Sequence, residues 1–305
     1  LINFLSNLDG PVELGLLYAL MALGVYITFR ILDFPDLTVD GSFTTGGAIA
    51  AVLITNGVNP WVSTLAAFGG GMLAGVCTGL LHTKGKINGL LSGIIMMIAL
   101  YSINMRILGK PLISLSGEET LFSSIDAIWV MAVIVIAGKL LLDAFFRTDL
   151  GLSLRATGDN HRMIRSFGVN TDVTKILGLS LSNGLVALSG AVVAQHSSFA
   201  DISSGIGMIV IGLASVIIGE AVLGNGSIFR TTLAVVLGSI IYRIVVAVAY
   251  EIDWLETSDL KLITAIIVII ALVVPTIRRS MKQRSMARKR SAELLTGNQG
   301  KGGAA

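Results

Sequence analysis

The sequence predicts an all-α polytopic membrane protein with about nine transmembrane segments, a short second span, the N-terminus outside and the C-terminus in the cytoplasm. Three observations lead there. Charged residues make up 13% of the 305 positions, about half the share of a soluble domain. Hydrophobic residues make up 53% and mean hydropathy is +0.82, with apolar runs recurring end to end at roughly the twenty-residue length that crosses a bilayer. The basic residues collect in alternate connections, the asymmetry that sets membrane topology.

The apolar segments are 12–31, 42–55, 61–81, 89–108, 127–146, 173–195, 207–223, 230–250 and 260–277. At 1.5 Å per residue, 42–55 and 207–223 are short for roughly 30 Å of hydrocarbon, so broken, tilted or partial spans are expected there. The loop 147–175 carries Arg147, Arg155, Arg162, Arg165 and Lys175, and the turn 82–88 carries Lys84 and Lys86. The tail carries Arg278, Arg279, Lys282, Arg284, Arg288, Lys289 and Arg290. Acidic residues lie on the other side, with Glu118, Glu119 and Asp126 in one connection and Glu251, Asp253, Glu256 and Asp259 in another. The basic side is assigned to the cytoplasm.

A transmembrane domain is expected over 1–278, with a cytoplasmic loop at 147–172, and a basic, disordered tail over 279–305. Residues 1–9 place Leu1, Phe4, Leu5 and Leu8 on one face and read as a short interfacial helix. No basic stretch precedes the first apolar run, so it does not read as a cleavable signal.

Enzyme chemistry finds no foothold. The chain contains neither G-x-x-x-x-G-K-[ST] nor H-E-x-x-H, and one cysteine and three histidines form no metal-ligand spacing. Gly71, Gly75 and Gly79 repeat the G-x-x-x-G spacing that lets helix backbones approach, whether within the chain or between two copies. Lys139 and Asp143, four residues apart, can neutralise each other within the fifth span. Glu220 and Arg243 also lie at membrane depth and must face protein or water; Arg230 is within reach of Glu220.

Two stretches are candidates for function. In "LDFPDLTVDGSFTTGGAIA", Asp33, Asp36 and Asp40 precede Ser42, Thr44, Thr45, Gly46 and Gly47. Helix breakers and polar groups at this density are tolerated only against protein or a water-filled path. Packing through small residues is the plain explanation; a translocation pathway over Asp40, Ser42, Thr44, Thr45, Asn183 and Glu220 is the functional one. The sixth segment adds Ser180, Ser182, Asn183, Ser189 and Gln195.

The second stretch is "RATGDNHRMIRSFGVN", residues 155–170. From Asp159 to Phe167 it predicts about two helical turns, capped by Thr157 or Asp159 and stopped at Gly168. Met163, Ile164 and Phe167 fall together, with His161, Arg162 and Arg165 elsewhere around the helix. Such a helix can lie on lipid headgroups through its arginines or press its apolar knob into a groove on another protein.

At this point the chain resembles a known family, the membrane permease subunits of ABC importers of the branched-chain amino acid and ribose type. The resemblance covers about residues 4–278 and rests on "LGLLYALMALGVYITFRILDF", "KINGLLSGIIMMIALYSINMRILG", "LGLSLRATGDNHRMIRSFGVN" and "GMIVIGLASVIIGEAVLGNGSIFRTTLAVVLGSII", in that order. It implies that 155–168 is a coupling helix docking on a cytoplasmic ABC ATPase, through Arg155, Gly158, Asp159, Asn160, His161, Arg162, Met163, Ile164, Phe167 and Gly168. The chain departs from the family pattern at His161-Arg162 and at Glu220. The resemblance further implies ATP and Mg bound by the partner ATPase and no cofactor in this chain. An extracytoplasmic substrate-binding protein or lipoprotein, a second permease copy as homodimer, and membrane lipid are the other expected partners; nucleic acid is not. The expected location is the bacterial cytoplasmic (inner) membrane, multi-pass. "LDFPDLTVDGSF" resembles the subgroup associated with tyrosine and tryptophan, which points to an amino acid, aromatic or branched-chain. The alternatives are a sugar or nucleoside importer, or an ion-coupled carrier using Asp40, Glu220 and Arg243.

Overall fold

The computed structural model describes residues 9–123, 126–224 and 226–250, with five isolated positions between 262 and 273. The chain divides into Leu1–Leu255 and Glu256–Ala305, and the helical bundle is built by the first unit. Apart from those five positions and Asp9, the expected ninth span, the basic tail, the expected interfacial helix over 1–9 and the acidic group from Glu251 to Asp259 lie outside the described residues.

The helices are α1 (Asp9–Tyr26, continued by a π-helical turn Ile27–Ile31), α2 (Thr38–Thr55), α3 (Pro60–Thr83), α4 (Gly89–Leu108), α5 (Ala127–Phe145), α6 (Asp149–Ser166), α7 (Thr171–Ser197), α8 (Met208–Leu223) and α9 (Ile228–Tyr250). Strand β1 (Leu112–Ser114) pairs antiparallel with β2 (Phe199–Asp201), placing Leu112 opposite Asp201. Among the described residues, six helical stretches are long and apolar enough to cross a membrane; the expected nine spans are thus established only as a multi-pass helical bundle. Asparagine side chains start several helices. Asn59 accepts from the Trp61 N–H at 2.9 Å, and Asn88 from the Leu90 N–H at 2.9 Å. Each satisfies a donor that an isolated helix leaves orphaned.

The long helix α7 is the hub, buried against α1, α2 and α3. Gly71 and Gly75 on α3 face it so closely that a Cβ on either would overlap the carbonyl oxygen of Asn183 or Leu179. The doubled G-x-x-x-G therefore packs within the chain. Hydroxyls fasten the other seams: Ser182 donates to the Gly24 carbonyl at 2.7 Å, Ser189 to that of Leu17 at 2.6 Å, and Ser239 to that of Gly15 at 2.9 Å. Such bonds contribute about 0.6–2 kcal/mol each between membrane helices, where apolar burial no longer distinguishes protein from lipid.

The short second span has a physical cause. Contacts of Ser42 with Asn183, Gly46 with Ala187 and Gly47 with Ala194 ascend in the same sense, so α2 runs parallel to α7 and begins opposite its middle. Residues 32–37 re-enter the bundle as irregular backbone, burying Leu32, Phe34 and Asp36 while Asp33 and Pro35 stay exposed. The helix α8, with 16 residues, likewise starts inside the bundle, its first N–H groups meeting Asp40 near the beginning of α2. Lys139 and Asp143 form the expected pair at 2.5 Å; Thr232 donates to Asp143 at 2.7 Å and the Lys139 ammonium sits 3.2 Å from the Phe229 ring centroid.

Candidate functional site

The polar insert is longer than the sequence predicts and is built in two parts. Thr148 caps its start by accepting from the Gly151 N–H at 3.3 Å, so the helix begins at Asp149 and not near Asp159. Asn160 interrupts it with extended backbone (φ −158°, ψ 89°), and its side chain accepts from the Met163 N–H at 3.1 Å. The cap of the distal turns is therefore Asn160, in place of Thr157 or Asp159. An asparagine both leaves the helix easily and re-caps it, which a count of apolar period does not reveal. Gly168 ends the unit at φ +87°, a left-handed conformation suited to glycine.

The two parts have opposite surroundings. The proximal part is anchored. Leu154 is fully buried, Thr157 shares a hydrogen bond of 2.9 Å with Thr174 on α7, and a Cβ at Gly158 would overlap the Ile31 carbonyl at the end of the π-helical turn. The distal part is exposed. His161, Arg162, Met163, Arg165 and Phe167 stand in the open, Ile164 is half-buried, and Phe167 is 75% accessible.

Arg155 and Asp159 look back toward the bundle into a polar crevice of about 410 Å³ that also contains Tyr26, Arg30, Glu220 and Thr231. Glu220 accepts from Arg30 Nε at 2.9 Å, with side chains 12% and 43% accessible. The sequence pointed to Arg230 as its partner, ten residues away; the actual partner lies on α1's extension, because α8 returns beside α1. A partner 190 positions away in sequence leaves no local signal.

Within the bundle the other candidates fall into two groups. Asp40 accepts from the Ile209 N–H at 2.9 Å and the Gly207 N–H at 3.0 Å, and Thr44 accepts from the Gly205 N–H at 3.1 Å. Together they hold the segment leading into α8. A carboxylate at a helix N-terminus is favoured by the dipole and by the unpaired N–H groups there. The second group centres on Asn183: Ser42 donates to its Oδ1 at 2.7 Å, and its Nδ2 donates to Asp36 at 2.7 Å. Asp36, 2% exposed, also accepts from the Thr38 N–H at 2.9 Å and so starts α2. Thr45 donates to the Gly41 carbonyl of its own helix at 2.9 Å. Asp36 is missing from the pathway that the sequence predicts, although an aspartate after proline and two before threonine is a helix-start signal. Glu220 lies apart from both groups, in the crevice beside α6.

Comparisons with known proteins agree with this geometry. A family model described as a branched-chain amino acid transport system permease component matches residues 11–273. The chain is 46% identical over 280 residues to a tyrosine transport system permease protein of Clostridioides difficile, covering 92% of this chain and 95% of that protein. It is 27% identical over 248 residues to the ribose import permease protein of Escherichia coli K12, covering 77% and 76%. Among solved structures it is similar to PsaBC from Streptococcus pneumoniae in complex with Fab, with a TM-score of 0.51, 15% identity and coverage of 88% and 90%; at that identity the likeness is one of fold. With broken spans, an anchored surface helix and a family match over most of its length, the chain belongs to the branched-chain amino acid transport permease family of ABC importers, as a multi-pass subunit of the bacterial membrane whose ATPase is a separate polypeptide.

Proposed function

We propose that this permease takes up an aromatic amino acid of the tyrosine class, driven by ATP and Mg bound to cytoplasmic ATPase subunits and supplied by an extracytoplasmic binding protein or lipoprotein. The observation that carries the reading is α6. Its proximal half is wedged against Ile31 and α7, and its distal half projects Met163, Arg162, Arg165 and Phe167 into the open. A lever needs both features: a rigid root and a free, adhesive tip. Arg155, Gly158, Asp159, Asn160, His161, Ile164 and Gly168 belong to the same unit, as its root, hinge and stop. The basic residues around α6 put this end in the cytoplasm, with two permease copies side by side in the lipid.

The pathway follows Asp40 and Thr44, which border the segment leading into α8, with Ser42, Thr45 and Asn183 as the helix seam behind them and Glu220 at the cytoplasmic exit. Against an ion-coupled carrier stands the occupancy of its charges: Asp40 is engaged by two N–H groups, Glu220 by Arg30, and Arg243 lies 3.8 Å over the Tyr18 ring. The tyrosine assignment is supported by the tyrosine permease relative, which matches nearly end to end.

The test is reconstitution. Permease, ATPase and binding protein together in proteoliposomes take up tyrosine only with internal ATP, and the permease alone takes up none under an ion gradient. Phe167→Ala combined with Arg165→Ala releases the ATPase on co-purification. Uptake by the permease alone, or full ATPase retention by that variant, overturns the reading.

A further inference from the structure

At the end of the bundle away from α6, the helices enclose a second cavity of about 330 Å³, bounded by Tyr18, Phe43, Phe199, Asp201, Ser204 and Met208 among others. Its size is at the lower end of the roughly 300–1,000 Å³ of small-molecule sites. One wall is aromatic. The Tyr18 and Phe43 rings lie nearly parallel (7°) with centroids 6.1 Å apart, and the Arg243 guanidinium 3.8 Å from the Tyr18 centroid holds that ring from α9. Phe199 and the pliable thioether of Met208 extend this wall.

The opposite side is polar and carries one charge. The β1–β2 pairing fixes Asp201 opposite Leu112, and its Oδ1 accepts from the Ser203 N–H at 2.6 Å. Among the described residues its other oxygen has no hydrogen-bond or ion-pair partner. Among the described residues no basic side chain lines this cavity, so the carboxylate is left to a cation from outside. A sugar fits less well, because each hydroxyl needs a donor or acceptor, whereas much of the remaining lining is Val193, Ala194 and glycine.

We propose that this cavity is a binding site on the permease itself for a zwitterionic amino acid with an aromatic side chain, its ring against Tyr18, Phe43 and Met208 and its ammonium on Asp201. The inference rests on the amino acid importer reading and deepens it. The permease then selects substrate a second time after the binding protein. The occupant lies over Met208, the first residue of α8, whose N-terminus Asp40 holds. Loading of the cavity thus bears on the segment that borders the pathway.

The experiment uses the permease–ATPase complex in lipid nanodiscs without binding protein, and titrates L-tyrosine, tyramine, 3-(4-hydroxyphenyl)propionate, L-leucine and D-ribose by calorimetry. Tyrosine and tyramine bind; the propionate, which lacks the amine, does not, and leucine binds at least tenfold more weakly. Asp201→Asn keeps the Ser203 hydrogen bond and the shape, and weakens tyrosine and tyramine at least tenfold. Absence of saturable tyrosine binding, unchanged affinity in Asp201→Asn, or equal binding of ribose or the propionate overturns the site. ATP-driven tyrosine uptake with binding protein is measured on the same preparation. Uptake without binding overturns the cavity alone, whereas absence of amino acid uptake overturns the importer reading.

Discussion

Asp40 and Ile209, 169 positions apart, are joined by a hydrogen bond of 2.9 Å from the first turn of α8 to the carboxylate of α2. With the Gly207 N–H on the second oxygen at 3.0 Å, one side chain caps a helix to which it does not belong. That helix starts within the bundle, and its first N–H groups have no partner in a preceding turn.

Removing the carboxylate has a definite cost. Asp40→Ala strands both N–H groups, and the loss of charge-assisted bonds to a helix N-terminus is expected to destabilise by about 2–3 kcal/mol. Asp40→Asn retains an acceptor and loses roughly half as much. Thermal unfolding in detergent, with uptake measured alongside, orders the three proteins; equal stability of Asp40→Ala and the parent defeats the capping role.

Lys139 and Asp143 make a sharper test because both are almost wholly buried. Lys139→Met alone leaves a buried carboxylate held, among the described residues, by Thr232 alone, a change worth about 3–5 kcal/mol. The double variant Lys139→Met, Asp143→Leu recovers most of that loss, since no charge remains to desolvate. A double variant as unstable as the single one is inconsistent with this account.

The proposed lever bears on the bundle at Gly158, which lies against the Ile31 carbonyl. Gly158→Val forces α6 away from the Ile31 carbonyl, and uptake falls more than tenfold while the ATPase still binds the exposed distal turns. Phe167→Ala does the reverse: it weakens ATPase binding, yet unfolding shifts by less than about 0.5 kcal/mol, as for an exposed position. Co-purification and melting curves on the two variants separate root from tip.

The Arg30–Glu220 pair is half-open to water, so its effect on stability is small, about 0.2–1 kcal/mol. Its effect on transport is expected to be larger, since it ties α1's extension to the end of α8. Glu220→Gln reduces uptake, and the exchange Arg30→Glu with Glu220→Arg restores it. An exchange that stays as impaired as the single variant shows that the pair is not the relevant unit.

Hydropathy located the helices well. The predicted runs 61–81, 89–108, 127–146 and 173–195 begin and end within a few residues of α3, α4, α5 and α7, because a membrane helix must be apolar along its whole lipid-crossing length. The runs 42–55 and 207–223 stand out as short for the same reason. The insert is recognisable from its charge, and its stop at Gly168 from residue type. Its true start at Thr148 is hidden by the leucines at 150, 152 and 154, which face the bundle or the surface in a helix that crosses nothing.

By itself, then, the sequence determined a helical membrane protein, the places where its spans are interrupted, and a basic surface helix between α5 and α7. Only the tertiary structure decided who partners whom: Asp40 with the start of α8, Asn183 with Asp36 and Ser42, Glu220 with Arg30 and not Arg230. Apolarity and helical period act over a few turns and are written in neighbouring residues. Buried polar groups must find partners wherever packing brings them, and packing joins residues as far as 224 positions apart.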